Sequence, residues 1–294
     1  MTQDSISRFR RFSRAVTSQM GVLDQDFLGL GRPLGPARVL NAIGHGLHDI
    51  SQLREYLRLD SGLMSRLLRQ LEAEGLITTT PGAEDKRRRQ AHLTPAGATE
   101  YAAYERLSDA RAHDCLARHP KPDALLAAMD LVASALGRDH IQVQLADPCG
   151  QAAQDCLEAY YADLSSRFGQ RFDPVRSGDP EASAMRPPDG AFVLAVSDGL
   201  AIGCGGLKPL ADSDMPTGEV KRVWVSPNAR GMGVSRQLMQ ALEGHARDLG
   251  MRRLRLDTSA KLSEARGLYR ATGWTEVARY NDNPYADHFF EKVI

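Results

Sequence analysis

The sequence predicts two domains in one chain, a mainly α winged helix-turn-helix unit followed by an α+β unit. Three observations carry this. The chain has 294 residues, long for one domain and suited to about two. Residues 50–74 read as two short helices joined by a turn, followed by two short strands around a basic tip. Residues 219–236 read as a strand, a glycine turn and the start of a helix. The polar break Gly137-Arg138-Asp139-His140 sets the expected boundary, giving units 1–138 and 139–294.

Composition narrows the function classes. An apolar fraction of 42% allows sizeable cores. The formal net charge is +0, so bulk charge attracts no polyanion and any nucleic-acid surface must be a local patch. Cys115, Cys149, Cys156 and Cys204 form no C-x-x-C pair and accompany no histidine cluster. They predict reduced thiols, no metal site and a cytoplasmic setting. No window reaches the roughly 18 apolar residues of a membrane span, and the first residues lack an apolar signal core, so no membrane partner is expected.

In chain order, Ser5–Met20 alternates Arg8, Arg10, Arg11 and Arg14 with Ile6, Phe9, Phe12 and Val16, an amphipathic helix. Pro33 and Pro36 open a second helix that ends at Gly44 and Gly46. Asp49 is placed to cap a short helix over 50–57, and a second helix runs from Ser61 to Glu74 with Gly75 after it. Leu63, Leu67, Leu68 and Leu71 make its buried stripe. Ser61, Ser65, Arg66 and Arg69 lie largely elsewhere, where hydroxyls and guanidiniums suit phosphates and major-groove base edges. Strands near 76–80 and 90–93 flank the tip Asp85-Lys86-Arg87-Arg88-Arg89, a β-wing whose arginines suit a minor groove. Pro95 starts a long helix to about Arg118, and another spans about 122–136.

This first stretch resembles the MarR-type winged-helix regulators over roughly residues 5–137. The resemblance rests on Ser65-Arg66, Leu71-Glu72, Gly75-Leu76, Asp85 and Arg87, Leu93-Thr94 and Gly97. It implies binding to double-stranded operator DNA through Ser61, Ser65, Arg66, Arg69, Asp85, Arg87 and Arg88. In that family Asp85 would support a minor-groove Arg87, and the terminal helices would form a homodimer. Thr78 departs from the family, which commonly has a basic residue there. For each arginine alone, the alternative is a solvated surface charge.

The second half reads as a strand at 141–145, a helix over about 151–168, a polar loop to Gly190, and a buried strand at 191–196. Asp198-Gly199 is a hairpin signal, with a returning strand over 200–207 that ends at Gly205-Gly206. The strand Glu219–Val225 follows. It turns through Arg230-Gly231-Met232-Gly233 into a helix carrying Leu238, Met239, Ala241, Leu242 and Ala246. Unpaired N–H groups and the helix dipole make such a turn an anion site, and glycine lets the backbone approach the anion. A strand at 251–258, a helix with Ala265, Leu268 and Tyr269, and closing strands near 275–280 and 288–293 complete the unit.

This order resembles the GNAT acyl-CoA acyltransferases over roughly 140–294. Arg230, Gly233 and Ser235 hold the places of the family's turn, where Ser235 departs from Gly or Ala. Ala265, Leu268-Tyr269 and Gly273-Trp274 match a second segment, while Leu262 stands where many members have Asn. The resemblance implies acetyl-CoA as co-substrate and an amine acceptor attacked directly. The pantetheine arm would lie on Val223, Trp224 and Val225. The pyrophosphate would sit at Arg230, Gly231, Met232, Gly233, Val234, Ser235 and Arg236. Glu219 would be the general base and Tyr269 the acid that protonates the thiolate. Strand alternation would put Glu219, Lys221, Val223 and Val225 on one face. Tyr280 and His288 near the end could line the amine site. The alternatives are a structural ion pair for Glu219, a core tyrosine for Tyr269, and a structural place for Tyr280 and His288. As a whole, the sequence leads to the expectation of a transcriptional regulator that is also an N-acetyltransferase. The alternative is a regulator whose second domain senses an acyl-CoA without turnover.

Overall fold

In the computed structural model of the protein, residues 3–19, 25–82, 88–177, 182–211 and 215–294 are described. Contacts divide the chain into two units, Met1–Pro122 and Asp123–Ile294. The division falls upstream of the boundary expected at 138/139. Helix α6 (Pro122–Leu136) therefore groups almost wholly with the second unit, where Ser134 is buried and Gly137 comes close to Ser197.

The first unit contains α1 (Gln3–Gln19), α2 (Leu34–Gly44), α3 (Ile50–Leu57), α4 (Ser61–Ala73), β1 (Ile77–Pro81), β2 (Arg89–Leu93) and α5 (Pro95–Ala117). Local chemistry sets its boundaries. The Asp49 carboxylate accepts hydrogen bonds from the Ser51 and Gln52 N–H groups, and Asp60 accepts one from Leu63 N–H, so both helices of the motif are capped. Gly75, at φ 72, ends α4 in a conformation that few side chains tolerate. The Thr94 hydroxyl caps α5 through Gly97 N–H. The α4 stripe differs by one residue from expectation: Met64 is buried with Leu67, Leu68 and Leu71, and Leu63 only half-buried. These residues pack with Val39, Leu40, Ile43, Leu53 and Tyr104 into one core. Strands β1 and β2 pair antiparallel, and Asp49 bridges to Gln90.

The second unit adds β3 (Gln142–Leu145), α7 (Gln151–Phe168), β4 (Ala191–Ser197), β5 (Leu200–Leu210) and β6 (Thr217–Val225). It continues with α8 (Val234–Asp248), β7 (Arg253–Thr258), α9 (Ser263–Ala271), β8 (Thr275–Val277) and β9 (His288–Val293). One seven-stranded sheet runs β3-β4-β5-β6-β7-β9-β8, antiparallel except for the β6–β7 pair. Both faces are covered, so β4 reads as a continuous apolar run. Phe192 and Leu194 pack with Ala153, Cys156 and Leu157 of α7, while Val193 and Ala195 join Leu238, Met239 and Leu242 of α8. The hairpin at Asp198-Gly199 has φ of 49 and 83, as a primed turn needs. Strand β5 runs on to Leu210, so Gly205-Gly206 lies inside it rather than at its end. All four cysteines are free.

Candidate functional site

The site of the second unit begins where two parallel strands part. β6 and β7 pair only between Thr217–Glu219 and Arg253–Arg255. From Val220 onward they separate, and a cleft opens between them. Its lining includes Val220, Lys221, Arg222, Val223, Asp257, Thr258 and Tyr269. A β-bulge bends β6 at this point. Its register with β5 slips between Cys204 and Gly206, and Arg222 takes φ 57. Gly205 sits opposite, where a Cβ would lie 2.9 Å from Leu242. The extra residue reverses the alternation of the strand. Val220, Val223 and Val225 therefore all pack on the α8 side. The expected common face of Glu219, Lys221, Val223 and Val225 is corrected accordingly: Glu219 and Lys221 flank Val220 on the opposite face. Trp224 also points away from α8, into the core under α7.

At the end of β6 the chain turns into α8. Gly231 and Gly233 take φ of 78 and 87, with no atom within 4 Å of where a Cβ would stand. The N–H groups of Val234 and Ser235, in the first turn of α8, have no intrahelical partner. Ser235 and Met232 are half-buried, Val234 is buried, and Arg236 is exposed. Arg230 behaves differently from its neighbours. Its Nε donates to the Val225 carbonyl at 3.1 Å, and its Nη2 pairs with Asp163 on α7. It braces strand, turn and α7 together, which leaves the open backbone of the turn to meet an anion.

Tyr269 stands on α9, buried against Trp274 and Phe290 at ring distances of 6.0 and 5.6 Å, and it lines the cleft. Burial, with Asp257 second, pushes its hydroxyl well above the ordinary tyrosine range, so it keeps its proton at neutral pH. Tyr160 of α7, also in the lining, is raised for the same reason, with Tyr269 itself contributing.

Glu219 is 3% exposed and is not part of the cleft lining. Its Oε1 accepts from the Tyr280 hydroxyl at 3.0 Å, Asn281 Nδ2 at 3.1 Å and Lys221 Nζ at 3.2 Å, and its Oε2 lies 3.4 Å from Lys208 Nζ. Lys221 and Asn281 bond in turn to Asp257 Oδ2, while Asn283 Nδ2 donates to Asp257 Oδ1 at 2.8 Å. Burial alone would lower the Lys221 pKa, but Asp257 and Glu219 together hold it above the ordinary lysine range. Asp257 is thus the carboxylate that faces the cleft, with Glu219 behind it. Sequence reading missed Asp257 because nothing in Leu-Arg-Leu-Asp-Thr marks it; only the parting of β7 from β6 exposes it. It also missed the aromatic wall of the cleft, formed by Tyr160, Tyr161, Phe168, Phe172 and Tyr285. The density of rings between 160 and 172 was the available signal.

In the first unit, Ser61, Ser65, Arg66 and Arg69 are all exposed on α4. The Arg69 Nε donates to the Ser65 carbonyl at 3.1 Å. Arg88, at the base of the wing, is exposed, with Asp49 at 3.9 Å. The Thr79 hydroxyl bonds both Glu72 of α4 and Arg89, which ties the wing to the helix. Asp85 and Arg87 lie outside the described residues.

Comparison with known proteins divides the chain in the same way. A family model described as "Acetyltransferase (GNAT) family" matches residues 154–274, and one described as "MarR family" matches residues 28–88. The chain is 29% identical over 145 residues to an IAA acetyltransferase of Azospirillum brasilense, covering 48% of this chain and 92% of that one. It is 31% identical over 134 residues to an uncharacterized N-acetyltransferase of Schizosaccharomyces pombe, covering 44% of this chain and 81% of that one. Among solved structures it is similar to a GNAT-family acetyltransferase from Staphylococcus aureus, with 16% identity, a TM-score of 0.45, and coverage of 52% of this chain and 99% of that one.

Proposed function

Because the chain belongs to the GNAT acetyltransferase family and carries a MarR-family domain, we propose that one polypeptide transfers an acetyl group from acetyl-CoA to an amine and also binds operator DNA. The observation that carries the first half is the parting of β6 from β7 beside Tyr269. Unpaired strand backbone there suits the pantetheine arm. The glycine turn suits the pyrophosphate, where dipole and free N–H groups favour negative charge.

In this reading the neutral amine attacks the thioester carbonyl. The carbon–sulfur bond of the tetrahedral intermediate then breaks, and the thiolate leaves with the proton of Tyr269. The place of Tyr269 in the cleft lining supports that role, with its hydroxyl protonated at neutral pH. The proton lost by the amine goes to the group Glu219–Lys221–Asp257. Asp257 takes it at the cleft, and Glu219 holds Lys221 and Asn281 in place. Asp257→Asn is expected to lower kcat about 100-fold, in the range of a lost general base, without weakening CoA binding. Glu219→Gln is expected to lower thermal stability as well as kcat. If Asp257→Asn leaves the pH–rate profile unchanged while Glu219→Gln removes its acid limb, the base is Glu219 itself.

For the second half, the exposed Ser61, Ser65, Arg66 and Arg69 on one capped helix support major-groove contact, with Arg88 beside it at the wing. A second copy of the chain would cover the exposed Phe9 and Phe12 of α1 and Leu107 of α5. Sedimentation of the full chain tests that dimer. A sensor without turnover is favoured by one observation, the engagement of Glu219 by two lysines. It requires that acetyl-CoA shift operator affinity while no amine releases free thiol.

A further inference from the structure

The acceptor end of the cleft has a chemistry of its own. Away from α9, the cleft is walled by rings. Phe168 and Tyr285 stack at 5.7 Å with their planes 13° apart, and Phe172 lies 4.8 Å from Tyr285. A second depression adjoins the first and shares Phe172, Pro174 and Tyr285 with it. Its remaining lining is Arg171, Asp173 and Arg176. Both guanidiniums are exposed, and the Asp173 Oδ1 already accepts the Val175 N–H at 3.0 Å. Among the described residues, two guanidiniums line this depression with one engaged carboxylate, a set that suits an anion.

The floor of the cleft is different. Its carboxylate, Asp257, is paired with Lys221, and Glu219 behind it is held by Lys221 and Lys208, so among the described residues the floor offers no unpaired carboxylate to a polycation. A polyamine would find rings and paired charges. A flat ring would find stacking partners, and an acid beyond the ring would find Arg171 and Arg176.

Resting on the assignment of acetyl transfer to this cleft, we infer that the acceptor is a primary amine on a flat aromatic body that carries a carboxylate at its far end. The amine lies toward Asp257 and Tyr269, the ring lies against Phe172 and Tyr285, and the acid lies on Arg171 and Arg176.

The test is calorimetric binding to the full chain in the presence of CoA, so that it does not depend on turnover. The probes are 4-(aminomethyl)benzoate, benzylamine and 1,4-diaminobutane. The expected order is 4-(aminomethyl)benzoate tightest, by about tenfold over benzylamine, as a charge-assisted pair at a partly exposed site gives. Diaminobutane is expected to be weakest. In Arg171→Gln/Arg176→Gln the tenfold advantage disappears while benzylamine binds as before. Because both arginines are exposed, this variant leaves the core intact. Tightest binding by diaminobutane, an advantage that survives the double substitution, or no binding of any probe would each overturn the inference. Bound 4-(aminomethyl)benzoate that never releases thiol from acetyl-CoA would leave the acceptor class standing and count against the transfer reaction instead.

Discussion

Two helical glycines behave in opposite ways because of what stands next to them. At Gly97, a Cβ would lie 1.9 Å from the Leu76 carbonyl oxygen, so α5 reaches the strand that follows α4 only without a side chain. Gly97→Ala is expected to destabilise the first unit by about 1–3 kcal/mol, the range for forced overpacking, read as a lower urea midpoint. At Gly267 on α9 nothing lies within 4 Å, so Gly267→Ala is expected to raise stability by about 0.5–1 kcal/mol through helix propensity and a stiffer unfolded chain. Lys221, Tyr160, Tyr269 and Tyr280 all have pKa values raised above their ordinary ones. A raised value means that the folded state holds its proton where the unfolded state has begun to lose it. Their stabilisation is therefore complete below about pH 10 and lost as pH rises beyond it. Thermal melts between pH 8 and 11 should show the second unit weakening steeply above pH 10, and less steeply in Tyr160→Phe.

Among the elements, α4 is the proposed recognition helix. Asp60 caps α4, and Arg66 and Arg69 stand exposed on it, so Arg66→Ala should leave folding intact while weakening operator binding by about 1–3 kcal/mol if the guanidinium reads a base edge. A loss spread evenly over unrelated DNA, with the salt slope reduced by about one, would place Arg66 on a phosphate instead. The helices and turns were legible because their signals are local: Asp49 and Asp60 as caps, Gly75 as a stop, Asp198-Gly199 as a hairpin. The bulge of β6 was not, since its left-handed residue is Arg222 rather than glycine, and the glycines that accommodate it lie across the sheet on β5. That one shift changed which side chains share a face with Glu219. Glu219 and Tyr269 were candidates only through family resemblance, and the structure sets Tyr269 in the cleft and Glu219 behind it. Asp257, Asn283 and Tyr285 were illegible for a different reason. They converge from separate segments, and their meaning depends on where β7 leaves β6.

For the whole molecule, a net charge of +0 means that neither function rests on bulk electrostatics. In the proposed reading, DNA contact would come from the local set on α4 and the wing, and acyl-CoA contact from oriented backbone at the turn before α8. No helix among the described residues is long and apolar enough to cross a membrane. With the chain divided into two units at Pro122/Asp123, substitutions on α4 are expected to spare the proposed acetyl transfer, and substitutions at the cleft to spare the proposed DNA binding. The cleft between β6 and β7 is proposed as a working acetyltransferase site with Tyr269 as its acid. The most direct test is the rate of thiol release from acetyl-CoA with a bound amine, in the native protein and in Tyr269→Phe, alongside CoA affinity. The expected result is a fall in kcat of about 100-fold, typical of a lost general acid, with the dissociation constant for CoA unchanged. A Tyr269→Phe protein that releases thiol at the native rate would contradict it.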